Sequence, residues 1–113
     1  MGLTKIDDRG LKTPIELLDD EEIRLGNSDD LKIFHASSTN HSFIRQGSAV
    51  NVLFLEANNL RCRSASSPAE MLISASKDGN VELYHNGTKK LETQVYGINV
   101  SGDVFIPDNS RFV

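Results

Sequence analysis

Strict alternation of apolar and polar positions marks two short stretches of this chain, and the two are copies of one pattern. Leu31–Ser38 reads LKIFHASS and Val81–Thr88 reads VELYHNGT, with the second copy starting 50 positions after the first. Each runs apolar, charged, apolar, aromatic, His, then two turn-prone positions and a hydroxyl residue. A period of two is that of a half-buried β-strand. It places Leu31, Ile33 and His35 on one face of the first strand, with Lys32 and Phe34 opposite. Val81, Leu83 and His85, with Glu82 and Tyr84 opposite, repeat the arrangement. An aromatic on the otherwise charged face of both copies predicts a second covered surface, such as a neighbouring sheet or subunit, with an exposed aromatic shielding the backbone of an edge strand as the competing reading. A repeated strand-plus-turn unit points to a modular β architecture rather than an enzyme core.

The rest of the chain extends this pattern. Ile23 and Leu25 flank Arg24, and Gly26–Asp30 is a turn cluster. Phe43–Arg45 follows the first copy as its hairpin partner. Val50–Leu55 is nearly continuous apolar, which suits a strand buried on both faces or at a subunit contact, with Val52 and Phe54 packing there. Leu60–Arg63 alternates again, and Ser64–Pro68 is a loop. Met71 and Ile73 open the next strand. Asp78-Gly79 and Asn86-Gly87 are hairpin-turn pairs, the second of type I′. Lys90–Val95 and Gly97–Val100 complete the series. Turns recur about every 8–12 residues, the spacing of all-β proteins. Nearer the N-terminus, Thr13-Pro14-Ile15-Glu16 carries helix-start signals and predicts a short helix from Pro14 to about Asp20, with an extended connector as the competing reading. Residues 1–16 read as a polar arm that orders only when held. Residues 17–113 read as the β-repeat segment, expected to continue into further repeats.

Composition narrows the picture. Among 113 residues there are five Phe, two Tyr and no Trp, thin material for an independent core, so burial against other chains is expected. A net charge of −4 with scattered Lys and Arg argues against nucleic acid as a partner. Cys62 is the single cysteine, so no internal disulfide forms, as suits assembly in a reducing cytosol. No apolar run reaches the ~18 residues of a membrane span, so no membrane insertion is expected. The acidic stretch Asp19–Glu22 reads as solvated surface. Catalytic, P-loop and dinucleotide motifs are missing from the sequence, which predicts neither an enzyme nor a bound cofactor. His35 and His85 occupy equivalent strand ends. Their expected role is to pack there and hydrogen-bond the turn backbone. The competing role is metal ligation on a three-fold axis, one imidazole from each of three chains.

The segments NSDDLKIFHAS (Asn27–Ser37), DGNVELYHNGTKKLET (Asp78–Thr93) and GINVSGDVFIPDNSRF (Gly97–Phe112), in that order, resemble the repeats of marine bacteriophage tail fibres, and the opening GLTKIDDRGLKTPIELLDDE resembles the start of such proteins. Ala36-Ser37 departs from the usual Asp-Gly after the first His, and residues 51–63 follow the family only as apolar alternation. The resemblance implies a virion structural protein, assembled in the host cytoplasm as a homotrimer. Its fold would be an elongated β fibre, solenoid-like or an intertwined prism. The N-terminal end, through Leu3, Thr4, Lys5, Ile6 and Leu11, would attach to the phage tail or an adaptor protein. Host surface glycan or protein would be bound by distal parts outside this chain. Leu31, Ile33, Phe34, Val52, Phe54, Val81, Leu83 and Tyr84 would pack strands within the trimer. Two other readings compete: a stand-alone glycan-binding β module using Phe34 and Tyr84, and a small neck or capsid decoration protein.

Overall fold

The computed structural model describes residues 12–47, 49 and 51–108. It is all-β, without helix among these residues, and the chain divides into two compact units, Met1–Phe54 and Leu55–Val113. Each unit carries one open antiparallel sheet in which every strand pairs with its sequence neighbours. Such meanders need only short connections, and the turn residues supply them.

The first sheet is β1 (Glu22–Leu25), β2 (Leu31–Ala36) and β3 (His41–Gln46). Its register sets Ile23, Ile33 and Ile44 in one row and Leu25 beside Leu31 on the same face. Glu22, Phe34 and Phe43 form a row on the opposite face, as do Arg24, Lys32 and Arg45. The β1–β2 loop requires glycine: Gly26 has φ +93°, and a side chain there would collide with Asp30. The β2–β3 loop spans four residues, Ser37–Asn40, and Asn40 takes a positive φ.

The second sheet is β4 (Asn59–Arg63), β5 (Met71–Ser76), β6 (Val81–His85), β7 (Thr88–Gln94) and β8 (Gly97–Val100). Asn86-Gly87 forms the expected two-residue turn, with φ +49° and +75° and His85 paired to Thr88. Asp78-Gly79 behaves differently: it lies within a four-residue loop, Lys77–Asn80, and Asp78 rather than the glycine takes the positive φ. The register again sorts residues by character. Cys62, Ile73, Leu83, Leu91 and Val100 share one row, and Arg61, Ser74, Glu82, Glu92 and Asn99 share the next, on the other face.

Two expectations fail. The helix over Pro14–Asp20 does not form; Asp19–Asp20 is a turn preceded by irregular chain. Leu18 N–H donates to the Glu21 carboxylate at 2.7 Å and Glu21 N–H to the Leu18 carbonyl at 3.1 Å. So short a helix is not self-supporting, and its cap signals lose to bonds that fasten Asp20 to the β2–β3 loop. The strand expected over Val50–Leu55 is not part of either sheet: residues 51–57 join no ladder. A strand apolar on both sides needs cover on both, and each sheet of this chain has only one apolar face.

Candidate functional site

The described residues form no conventional core. Among the described residues no apolar side chain is buried, and the two buried residues are polar: Ser74, 5% exposed, and Glu92, 8% exposed. Both lie on the charged face of the second sheet, where long side chains lie over their neighbours.

That face closes on itself. Lys89 Nζ donates to Glu92 Oε2 at 2.6 Å and to Glu82 Oε2 at 3.0 Å. Asn80 Nδ2 donates to Glu92 Oε2 at 3.0 Å, and Asn99 Nδ2 to Glu92 Oε1 at 3.2 Å. Tyr84 Oη donates a long bond, 3.4 Å, to Glu82 Oε1. The Lys89 ammonium, with help from Asn99, pulls the Glu92 carboxyl down to about 2, and the two carboxylates hold Lys89 charged well above the usual lysine range. A carboxylate so acidic stays ionised at ordinary pH and is unsuited to proton transfer. The cluster is a strut. A β-bulge builds it: Leu83 pairs with Leu91 but Tyr84 pairs with Lys89, leaving Lys90 as the extra residue. Positions three apart on a regular strand face opposite ways; the bulge brings Lys89 and Glu92 to one face.

A second polar arrangement fastens the approach to β1. Ser37 Oγ and N–H donate to the two oxygens of Asp20, at 2.6 and 3.0 Å, while Asp20 N–H donates to the His35 carbonyl at 2.8 Å. The Ser37 hydroxyl, then its N–H, lowers the Asp20 pKa. His35, near the end of β2, has Nδ1 2.9 Å from Ser42 Oγ and Nε2 3.1 Å from Asn40 Oδ1. Its partners are side chains, not the backbone anticipated. Because Asn40 Oδ1 can only accept, Nε2–H donates to it, and in the neutral ring Nδ1 accepts from Ser42. His85 is exposed at the end of β6. No group of three or more metal-ligating side chains occurs among the described residues.

The opposite faces are different in kind. In the second sheet the Cys62–Val100 row, together with Leu60, Val81 and Ile98, presents apolar side chains with no charge among them, and Leu60, Ile73, Val81, Leu83, Ile98 and Val100 are all exposed. In the first sheet Ile23, Leu25, Ile33 and Ile44 are likewise exposed. Leu17 and Leu18 pass beside them and help to wall an open groove of about 440 Å³.

The expected packing residues lie on both faces of both sheets and on the segment outside them. Leu31 and Ile33, and Val81 and Leu83, lie on the apolar faces of their sheets. Phe34 and Tyr84 lie opposite, half-buried by their own neighbours. Phe34 stacks on Phe43 with centroids 5.1 Å apart, and the Arg45 guanidinium lies 4.3 Å from the Phe43 centroid and 5.1 Å from that of Phe34. Val52 and Phe54 are 70% and 74% exposed, on the segment outside both sheets. Leu3, Thr4, Lys5, Ile6 and Leu11 lie outside the described residues. Sequence reasoning missed the Glu82–Lys89–Glu92 cluster and the Asp20–Ser37 fastening. The first was hidden because alternation alone puts Lys89 and Glu92 on opposite faces. No protein-family model, curated protein or solved structure matches this chain.

Proposed function

We propose that this chain is a structural segment of a bacteriophage tail fibre, assembled as a homotrimer. In this reading the sheets form part of an elongated fibre, solenoid-like or an intertwined prism, residues 1–16 attach it to the tail or an adaptor protein, and host-binding parts lie beyond it. One observation carries the multi-chain part of the reading: among the described residues no apolar side chain is buried, although both sheets have an apolar face. A single-layer sheet with one bare apolar face is not an independently stable architecture. The charged faces are satisfied by their own ion pairs, so the cover falls to the apolar ones. Closed symmetric assembly of identical chains supplies it. The fibre assignment itself rests on the order and spacing of the repeat motifs. The engagement of Phe34 by Phe43 and Arg45 weighs against a sugar-stacking platform at that ring.

Native mass by light scattering, joined to small-angle scattering for shape, tests the proposal. The expected result is an elongated trimer. A compact monomer at all concentrations would remove the assembly reading. Deleting residues 1–12 is expected to abolish attachment to tails while leaving the sheets folded; truncated fibres that still attach would refute the anchoring role.

A further inference from the structure

The turn between β6 and β7 is the one place in the chain where glycine follows asparagine. Asn86 and Gly87 are both exposed, at φ +49° and +75°, and the His85–Thr88 pair closes the turn. Among the described residues neither the Gly87 N–H nor the Asn86 side-chain amide has a hydrogen-bond partner. A backbone nitrogen and the amide carbon of the side chain before it are therefore free to meet. Every other asparagine precedes a residue with a side chain, which crowds that approach. Several are also held. His35 engages Asn40 Oδ1 at 3.1 Å, and Glu92 engages Nδ2 of Asn80 and Asn99 at 3.0 and 3.2 Å. The nitrogen after Asn80 is occupied too, since Val81 N–H donates to Thr93 Oγ1 at 2.9 Å.

We propose that Asn86-Gly87 is a self-modifying site, where the Gly87 backbone nitrogen displaces ammonia from the Asn86 side chain and water then leaves an aspartyl or β-aspartyl linkage. The Gly87 nitrogen gives its proton to solvent hydroxide and bonds to Asn86 Cγ. The Cγ–Nδ2 bond breaks, and Nδ2 leaves as ammonia with a proton from water. Water adds to either carbonyl carbon of the resulting five-membered ring and opens it; nothing is oxidised or reduced. Ring closure needs Asn86 to swing toward Gly87. Glycine gives the backbone that freedom, and an exposed turn end opens locally at low cost.

The change has a structural consequence. Either product adds a carboxylate to a turn that the Glu70 carboxyl group already approaches: a Cβ on Gly87 would lie 3.6 Å from Glu70 Cδ. The β-aspartyl product also lengthens the backbone by one carbon. A two-residue turn with positive φ at both positions has no slack for it, so conversion loosens β6 and β7 at their joined end. No partner chain is needed, and the site is independent of the multi-chain reading above.

Ageing the full chain in mildly alkaline buffer, with peptide mapping by mass spectrometry at intervals, tests this. Asn27, exposed and followed by Ser28, is the internal reference. Asn86 should convert at least tenfold faster than Asn27, with the β-aspartyl form, read by enzymatic methylation of its carboxyl group, in excess. Hydrogen exchange over residues 84–89 should quicken at least threefold in the aged wild type. Asn86→Gln, whose longer side chain closes the ring poorly, should neither convert nor quicken. Conversion at Asn86 no faster than at Asn27 means that the turn keeps amide and nitrogen apart, and overturns the proposal. Conversion with unchanged exchange, or equal quickening in aged Asn86→Gln, overturns the loosening of the hairpin.

Discussion

At the scale of single residues, Glu92 joins the most interactions and yields the sharpest expectation. Its carboxyl lies at about 2 in the folded chain against an ordinary 4.5. A lowered acid contributes stability that is fully present above the unfolded value and is lost as pH falls toward the folded one. Urea unfolding followed through the second sheet should therefore weaken between about pH 4.5 and 2. Glu92→Gln should flatten that slope and lower stability at neutral pH, since Lys89 then keeps only Glu82. Unchanged slopes would mean that the cluster does not persist in solution. Gly26 supplies a second case. With φ +93° and Asp30 against the place of a side chain, Gly26→Ala should destabilise the first sheet by about 1–3 kcal/mol in denaturant unfolding, the range for a residue held in a sparsely populated backbone region. Gly26 heads the turn cluster that the linear pattern marks, but Glu92 is not visible there as special. Glu92 reads there as one of several charges, and its burial follows from neighbours on three strands.

At the scale of elements, alternation located most strands. The two repeats became β2 and β6, Phe43–Arg45 became part of β3, and Asn86-Gly87 made its two-residue turn. These succeed because a period of two and a turn residue needing positive φ are local properties, set by a few adjacent side chains. The failures are the elements that local signals do not decide. Thr13-Pro14 and Glu16 specify a helix start but bring no apolar stripe to hold a helix. Val52–Leu55 has the propensity of a strand, but a strand exists only with a partner. The Lys90 bulge is likewise a property of the pair β6–β7, not of either strand. Deleting Lys90 should turn the bulge into a regular pair, still leaving Lys89 beside Tyr84 and Leu91 beside Leu83. The Glu92 carboxyl, followed by NMR, should then continue to titrate at about 2. A shift back toward 4.5 would show that the bulge's twist, and not merely the register, sets the cluster.

At the scale of the whole molecule, the two faces of each sheet divide the work. Charged faces are completed inside the chain by Lys89 between Glu82 and Glu92, and by Arg24 beside Glu22 at 2.6 Å. Apolar side chains on the opposite faces stay exposed among the described residues. That asymmetry distinguishes a hydrophobic assembly from an electrostatic one, and the difference is measurable. Ion-paired interfaces weaken as salt screens them. Apolar ones are little affected by sodium chloride, strengthen in sulfate and weaken on cooling. Dissociation of the proposed assembly should therefore follow the second behaviour. Leu83→Lys, in the middle of the Cys62–Val100 row, should place like charges together in every copy and shift the population to single chains, raising the concentration for half-dissociation at least tenfold. Tyr96→Ser provides the control: Tyr96 is 99% exposed at the β7–β8 turn, away from that row, and its loss should leave the association unchanged. If sodium chloride dissolves the assembly, or Leu83→Lys associates as wild type does, the chains meet through their charged faces instead, and the apolar rows must be covered by some other molecule.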